Sequence, residues 1–163
     1  MSYAATTIIV TGNTAAGENQ PGWLFNRDVS TSTPYAFTTD KSSIGSGSLY
    51  VAPIGANPAD KFVAENFINT AIADVNSISY DFQIGSGGLD TQEEQFYMIV
   101  YANFGVSPDD KFYDCRYNIV PTTGSTSGFT TVTFDPTQAY PVATRTGASA
   151  SPFTCPAVPA DMD

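Results

Sequence analysis

The sequence contains no histidine, and this absence removes several classes of function at once. Most serine and cysteine hydrolases need histidine as a general base, and most transition-metal sites use its ring nitrogens. The chain also lacks a nucleophile elbow and a phosphate-binding loop. A glycosidase with two carboxylates is the enzymatic alternative, with Glu65 and Asp81 or Glu93 and Asp114 as candidate pairs. We predict that the protein is not an enzyme.

Charge is scarce too, and positive charge most of all. Charged residues make up 13% of the 163 residues, and 6 basic side chains against 16 acidic ones leave a net charge of −10. Such an acidic surface repels phosphates and anionic membranes, so we expect no nucleic acid partner. Apolar residues nevertheless make up 42% of the chain, which is enough for the core of one domain.

Long apolar runs are missing as well. None reaches the roughly 18 residues of a membrane-spanning helix, so we expect no membrane insertion. The N-terminal stretch MSYAATTIIVTG has neither a basic region nor a long apolar segment, and it predicts no signal peptide. Ser, Thr, Asn and Gln supply most of the polar surface, as in many secreted β-proteins. Either Met1 is a start added to a mature secreted chain, which is the interpretation we favour, or the protein is not secreted by that route. The expected location is extracellular or at the cell surface.

Cysteine is limited to two residues, Cys115 and Cys155. Cys115 falls in a strand-like run, and Cys155 falls in the Pro-rich segment 136–163. We predict a disulfide that ties this extended C-terminal segment to the sheet, with a stabilisation of about 4 kcal/mol on the chain-entropy model. Two buried, unpaired thiols are the alternative.

Alternation of polar and apolar side chains is what the sequence has in abundance. In Ser77–Gly85 the residues Ile78, Tyr80, Phe82 and Ile84 would share one face of a strand. A period of two over this length is typical of a strand with one buried face and one exposed face. The same pattern in 113–119 predicts a face with Tyr113, Cys115, Tyr117 and Ile119, opposite a face with Asp114, Arg116 and Asn118.

Further segments have the composition of strands. Gln95–Asn103 is apolar on both faces, which predicts a central strand that is covered on both sides. Lys61–Ile68 predicts an edge strand, and Asn69–Val75 a single helical turn. The other predicted strands are Thr6–Thr11, Trp23–Asp28, Thr31–Asp40, Leu49–Pro53 and Gly128–Phe134.

These strands predict an all-β protein with one domain over residues 1–163. The expected architecture is a two-sheet antiparallel β-sandwich that is jelly-roll-like, with 136–163 as the Pro-rich extended segment. An open-ended barrel is the alternative architecture.

Four short fragments carry a resemblance to a known class of domain. They resemble secreted bacterial jelly-roll domains of surface-anchored and matrix proteins, some of which are lectin-like. The likeness implies a jelly-roll fold, secretion and a role in surface recognition. The fragments are Gly22-Trp23, Gly45–Leu49, Ser77–Asp81 and Tyr113–Tyr117, within a region of about 22–120.

Aromatic side chains are the candidate binding residues. Lectin-like sandwiches present Trp and Tyr faces to sugar rings, while the alternative for each aromatic residue is a place in the core. We therefore predict a non-enzymatic extracellular recognition module that binds carbohydrate. The candidates for ligand binding are Trp23, Tyr35, Tyr50 and Tyr101, with Tyr140 as a further one.

Acidic residues predict a supporting calcium ion. Asp109, Asp110 and Asp114 lie together in a loop between two strands, and calcium takes six to eight oxygen ligands. The alternative is a solvated acidic turn.

A second function follows from the chain's low charge and its β-branched N-terminal segment. A structural subunit of an extracellular filament or matrix could assemble by strand exchange, with copies of itself as partners. Ala4–Thr11 is the candidate donor strand.

Overall fold

The predicted fold class is confirmed by the computed structural model, which is built from antiparallel strands. In the described part of the chain there are ten strands and two short 3₁₀ turns, Ile72–Asp74 and Pro159–Asp161. The chain divides into two compact units, residues 1–69 and 70–163. The structure describes residues 19–20, 23–25, 35–43, 45–51, 62–66, 70–85, 96–106, 113–120, 124–145 and 153–161.

The strands are short, with two to five residues each. They are β1 (Asn19–Gln20), β2 (Trp23–Phe25), β3 (Tyr35–Thr38), β4 (Ser48–Val51), β5 (Ala64–Asn66), β6 (Ile78–Phe82), β7 (Met98–Ala102), β8 (Cys115–Ile119), β9 (Thr130–Phe134) and β10 (Val142–Thr144). Among the described helical segments, none has the length and apolar character needed to cross a membrane.

The unit of residues 1–69 has one three-stranded sheet and one hairpin. The sheet has the order β1-β2-β5, so the strand predicted in 61–68 does lie at an edge, and β3 pairs with β4. Phe25 is buried, and its ring lies 5.4 Å from that of Tyr35 and 6.1 Å from that of Phe62. These aromatic contacts form the apolar centre of the unit. Gly45 has φ of 77° in the turn of the hairpin, a conformation that glycine adopts without strain.

The unit of residues 70–163 has two sheets that share one core. One sheet pairs β6 with β9, and the other has the order β10-β8-β7. Alternate residues of both sheets enter the core, which is the pattern that period-two alternation predicted for β6 and β8. The buried members are Phe82, Cys115, Tyr117, Ile119, Val132, Phe134 and Cys155.

The predicted cover on both sides of β7 is wrong, since its outward face is open at Tyr101. Within the described residues β7 pairs with β8 alone, and β8 is the central strand. Tyr101 in β7 is 45% exposed, whereas Tyr117 in β8 is fully buried. Among the described strands, this run with apolar residues on both faces lies at the edge of its sheet and leaves an aromatic side chain exposed.

The predicted disulfide between Cys115 and Cys155 is confirmed. Its two Cα atoms are 5.8 Å apart, and both residues lie in the core of the 70–163 unit. The C-terminal segment also makes backbone hydrogen bonds to the chain around β8, from Asn118 N–H to the Pro141 carbonyl at 3.0 Å and from Arg145 N–H to the Asp114 carbonyl at 2.9 Å. The disulfide and these hydrogen bonds together attach the segment to its unit.

Two predictions are not tested by the described residues. The predicted first strand Thr6–Thr11, and with it the candidate donor strand Ala4–Thr11, lies outside the described residues. The assignment of residues 1–163 to one domain stays a prediction.

Partial burial of Tyr80 predicts a loss of stability at alkaline pH. The hydroxyl donates a hydrogen bond to the Phe96 carbonyl at 2.5 Å, and burial raises the pKa of Tyr80 well above its ordinary value of 10.0. Above about pH 10 the unfolded chain has lost this proton while the folded chain keeps it, so the free energy of unfolding falls as pH rises. Urea unfolding between about pH 8 and pH 11 should show a shallower fall for Tyr80→Phe than for wild type.

The matched control is Tyr97→Phe, at an exposed position. It should keep the pH dependence of the wild-type protein. An unchanged slope in Tyr80→Phe would contradict the assignment to this hydroxyl.

Candidate functional site

The outward face of the sheet β10-β8-β7 carries the most distinctive group of side chains. Cross-strand partners lie on the same face of a sheet. Tyr101 is opposite Arg116, and Arg116 is opposite Ala143, so these three form one row that faces away from the core. The next row pairs Ile99 with Asn118.

Two tyrosines and an arginine make contact at one end of this face. The ring centroids of Tyr101 and Tyr113 are 4.7 Å apart, with their planes inclined at 55°. The guanidinium carbon of Arg145 lies 5.4 Å from the centroid of the Tyr113 ring. Both contacts are within the range of favourable aromatic and cation–π interactions, so Tyr113 interacts with both a ring and a cation. We call Tyr101, Tyr113, Arg116 and Arg145 the aromatic–arginine cluster.

A break in alternation at Asp114 brings Tyr113 to the outward face. The sequence pattern predicted Tyr113 beside Cys115 on the buried side and Asp114 on the exposed side, and both predictions are wrong. Asp114 is only 4% exposed. Its Oδ2 accepts hydrogen bonds from the backbone N–H of Phe104 at 2.8 Å and of Val106 at 3.4 Å. Those bonds draw the carboxylate inward just before β8 begins, because buried donors need an acceptor.

Backbone hydrogen bonds of Asp114 also position Arg145. The N–H of Asp114 donates to the Ala102 carbonyl, and its carbonyl accepts from the N–H of Arg145, each at 2.9 Å. The residue therefore connects the ends of β7, β8 and β10. Its role in the structure is to fix the three chain segments that carry the aromatic–arginine cluster.

Each arginine of this cluster has one enclosed nitrogen without a hydrogen-bond partner among the described residues, Nε of Arg116 and Nη1 of Arg145. Arg116 is half-buried. A buried N–H group without an acceptor is uncommon in folded proteins. The Nε donor of Arg116 lies in the row that contains the exposed Tyr101.

The other predicted ligand-binding residues are dispersed. Trp23 lies in β2, where it is opposite Gln20 and Asn66. Tyr35 packs its ring against Phe25 and Phe62.

Tyr50 and Tyr140 differ in exposure. Tyr50 lies in β4 and is 54% exposed. Tyr140 is half-buried, its ring lies 5.2 Å from that of Phe134, and its hydroxyl accepts a hydrogen bond from the N–H of Asp135. Of the predicted aromatic residues, Tyr101 is the one that joins the aromatic–arginine cluster.

The calcium site stays a prediction. Asp109 and Asp110 lie outside the described residues. Asp114 is described, and its carboxylate is engaged with the loop that follows β7. In the described ranges, no three side chains of the kinds that bind metals come together.

Sequence reasoning singled out Tyr101 but missed its partners. Arg116 had been placed on the face opposite the core, which is correct, but nothing marked it as part of a site. Arg145 lies in the Pro-rich segment and comes close only because β10 pairs with β8. The rarity of basic residues, 6 in 163, was a signal that could have drawn attention to Arg116 and Arg145.

Comparisons of the chain with models of protein families, with curated proteins and with solved structures returned no match. The chemistry of the aromatic–arginine cluster follows from its own side chains and their positions. An exposed tyrosine ring offers an apolar face, and a neighbouring guanidinium offers several hydrogen-bond donors. Such a surface is suited to holding a flat, hydroxyl-rich ligand.

Proposed function

We propose that the protein is a non-enzymatic extracellular recognition module that binds carbohydrate on the outward face of β10-β8-β7. The observation that carries this proposal is the contact between Tyr101 and Tyr113, with Tyr101 exposed to solvent and Arg116 opposite it in the sheet. A sugar ring has apolar C–H faces and polar edges. The aromatic rings match the faces, and the guanidinium matches the hydroxyl groups at the edges.

The disulfide supports an extracellular location. Disulfides persist in oxidising environments and are rare in the cytosol, and Cys115–Cys155 is enclosed in the core. The net charge of −10 disfavours binding to nucleic acid, which is compatible with a role at the cell surface. A calcium ion bound near Asp109, Asp110 and Asp114 remains part of the proposal as a supporting ligand of the loop after β7.

Replacing Tyr101 with alanine is expected to weaken carbohydrate binding by about tenfold. An aromatic contact of this kind is worth roughly 1 kcal/mol beyond the area it buries, and 1.4 kcal/mol corresponds to tenfold. A glycan array of neutral and acidic oligosaccharides identifies the bound glycans, and calorimetry on the strongest of them measures the change.

The matched control is Tyr50→Ala. Tyr50 is at least as exposed as Tyr101, but it belongs to the other unit and is in β4. It should leave the affinity unchanged. Loss of binding in Tyr50→Ala with none in Tyr101→Ala would move the site to residues 1–69. An array without hits would overturn the proposal.

A second function is favoured by one observation at the edge of the same sheet. β7 has a single hydrogen-bonded neighbour among the described strands, and Phe96 and Tyr97 just before it are exposed. An apolar edge strand is a surface on which another strand can pair. Under this alternative the protein is a structural subunit of a filament or matrix. Sedimentation and electron microscopy that show monomers alone would remove it.

A further inference from the structure

We infer that the aromatic–arginine cluster selects sugars that carry a carboxylate, with Arg116 as the specificity-determining residue. The inference deepens the proposed function and rests on it. Its starting point is the side chain of Arg116, which is half-buried, lies opposite the exposed Tyr101 and has an Nε without a hydrogen-bond partner among the described residues.

The local charge is unusual for this molecule. The whole chain has 16 acidic and 6 basic residues, yet Arg145 contacts the Tyr113 ring and Arg116 lies opposite Tyr101, the neighbour of that ring. Arg145 is placed against the Tyr113 ring, which leaves Arg116 as the guanidinium beside the exposed Tyr101. A surface selected only for neutral sugars would not need to concentrate its rare cations in this way.

The chemistry of the guanidinium points to a planar anionic acceptor. A guanidinium is always charged and presents its N–H donors in a fixed fork, which matches the two oxygens of a carboxylate. The described structure provides no acceptor for Nε of Arg116. A carboxylate on a sugar whose ring lies against Tyr101 would accept hydrogen bonds from the terminal N–H groups of the same guanidinium.

The acidic character of the protein does not oppose this contact. At physiological salt, charges separated by more than about 8 Å are largely screened. A carboxylate held by Arg116 interacts with its partner at hydrogen-bond distance, whereas the repulsion from remote acids is weakened.

The test compares acidic sugars with their neutral forms. A hexuronate oligomer and a sialylated oligosaccharide are each titrated into the protein beside the methyl ester of the same compound. Wild type should bind at least one acid about tenfold more tightly than its ester, because charge-assisted bidentate hydrogen bonds are roughly twice as strong as neutral ones. The two acids distinguish uronates from sialates as the source of the carboxylate.

Variants then assign the preference to Arg116. Arg116→Gln should remove the difference between acid and ester while keeping binding of the ester, and Arg116→Lys should retain part of the difference because a point charge replaces the fork. Lys41→Gln is the control, since it removes the same charge from an exposed site in the other unit. Thermal unfolding of all three variants verifies that they are folded.

Each outcome decides a separate question. Equal binding of acid and ester by the wild-type protein overturns the inference and leaves the proposed function in place. So does a preference for the acid that persists in Arg116→Gln. Binding of neither form, together with an array that has no hits, overturns the proposed function itself.

Discussion

Replacing both cysteines with alanine, in C115A/C155A, is expected to lower the free energy of unfolding by about 4 kcal/mol. The disulfide joins residues separated by 40 positions, so it removes much of the freedom of the unfolded chain. It also fixes the C-terminal segment to β8, the central strand of its sheet. Urea unfolding monitored by fluorescence gives the change directly.

Reduction of the wild-type protein provides the control for this variant. Unfolding of wild type in the presence of dithiothreitol should approach that of C115A/C155A, while the variant itself should not respond to the reductant. A loss below about 1 kcal/mol would mean that the pairing of β10 with β8 holds the segment without the cross-link.

Period-two alternation predicted the strands of the 70–163 unit well. In β8, Cys115, Tyr117 and Ile119 are buried while Arg116 and Asn118 between them are more exposed, as expected. In β6, Phe82 is buried and Ser79 is exposed. This success has a physical basis, since the backbone of a strand turns alternate side chains to opposite faces whatever its neighbours are.

The misses have an equally physical cause. Asp114 and Tyr113 depart from the alternating pattern because the Asp114 carboxylate accepts hydrogen bonds from two backbone N–H groups after β7 and is therefore buried. β7 was predicted to be covered on both sides because its residues are apolar on both faces, but the composition of one strand does not show which strands lie beside it. Both errors arise where contacts between distant parts of the chain override the local pattern.

The candidate site was only partly predictable for the same reason. Exposed aromatic residues can be guessed from a strand pattern, and Tyr101 was among those named. Its contact with Tyr113 depends on the break at Asp114, and its opposition to Arg116 depends on the register of β7 against β8. Register is a property of two strands together, and one strand's sequence does not specify it.

Replacing Phe134 with alanine is expected to cost about 3–5 kcal/mol, the largest effect of any single substitution considered for this chain. Phe134 in β9 is fully buried, and its ring lies 6.5 Å from that of Tyr117 and 5.2 Å from that of Tyr140. It therefore connects the two sheets and the C-terminal segment within one core. Removing the ring leaves a cavity that rigid neighbours fill only in part.

Thr133→Ala is the matched control because Thr133 is the preceding residue of β9 and is exposed. It should change the free energy of unfolding by less than about 1 kcal/mol, which is the span of strand propensities. Should Phe134→Ala be unfolded, Phe134→Leu keeps part of the buried volume and should lose less stability. Similar losses in Thr133→Ala and Phe134→Leu would contradict the assignment of faces in β9. Since the two positions share a strand, the comparison separates the loss of a buried ring from a general weakening of β9.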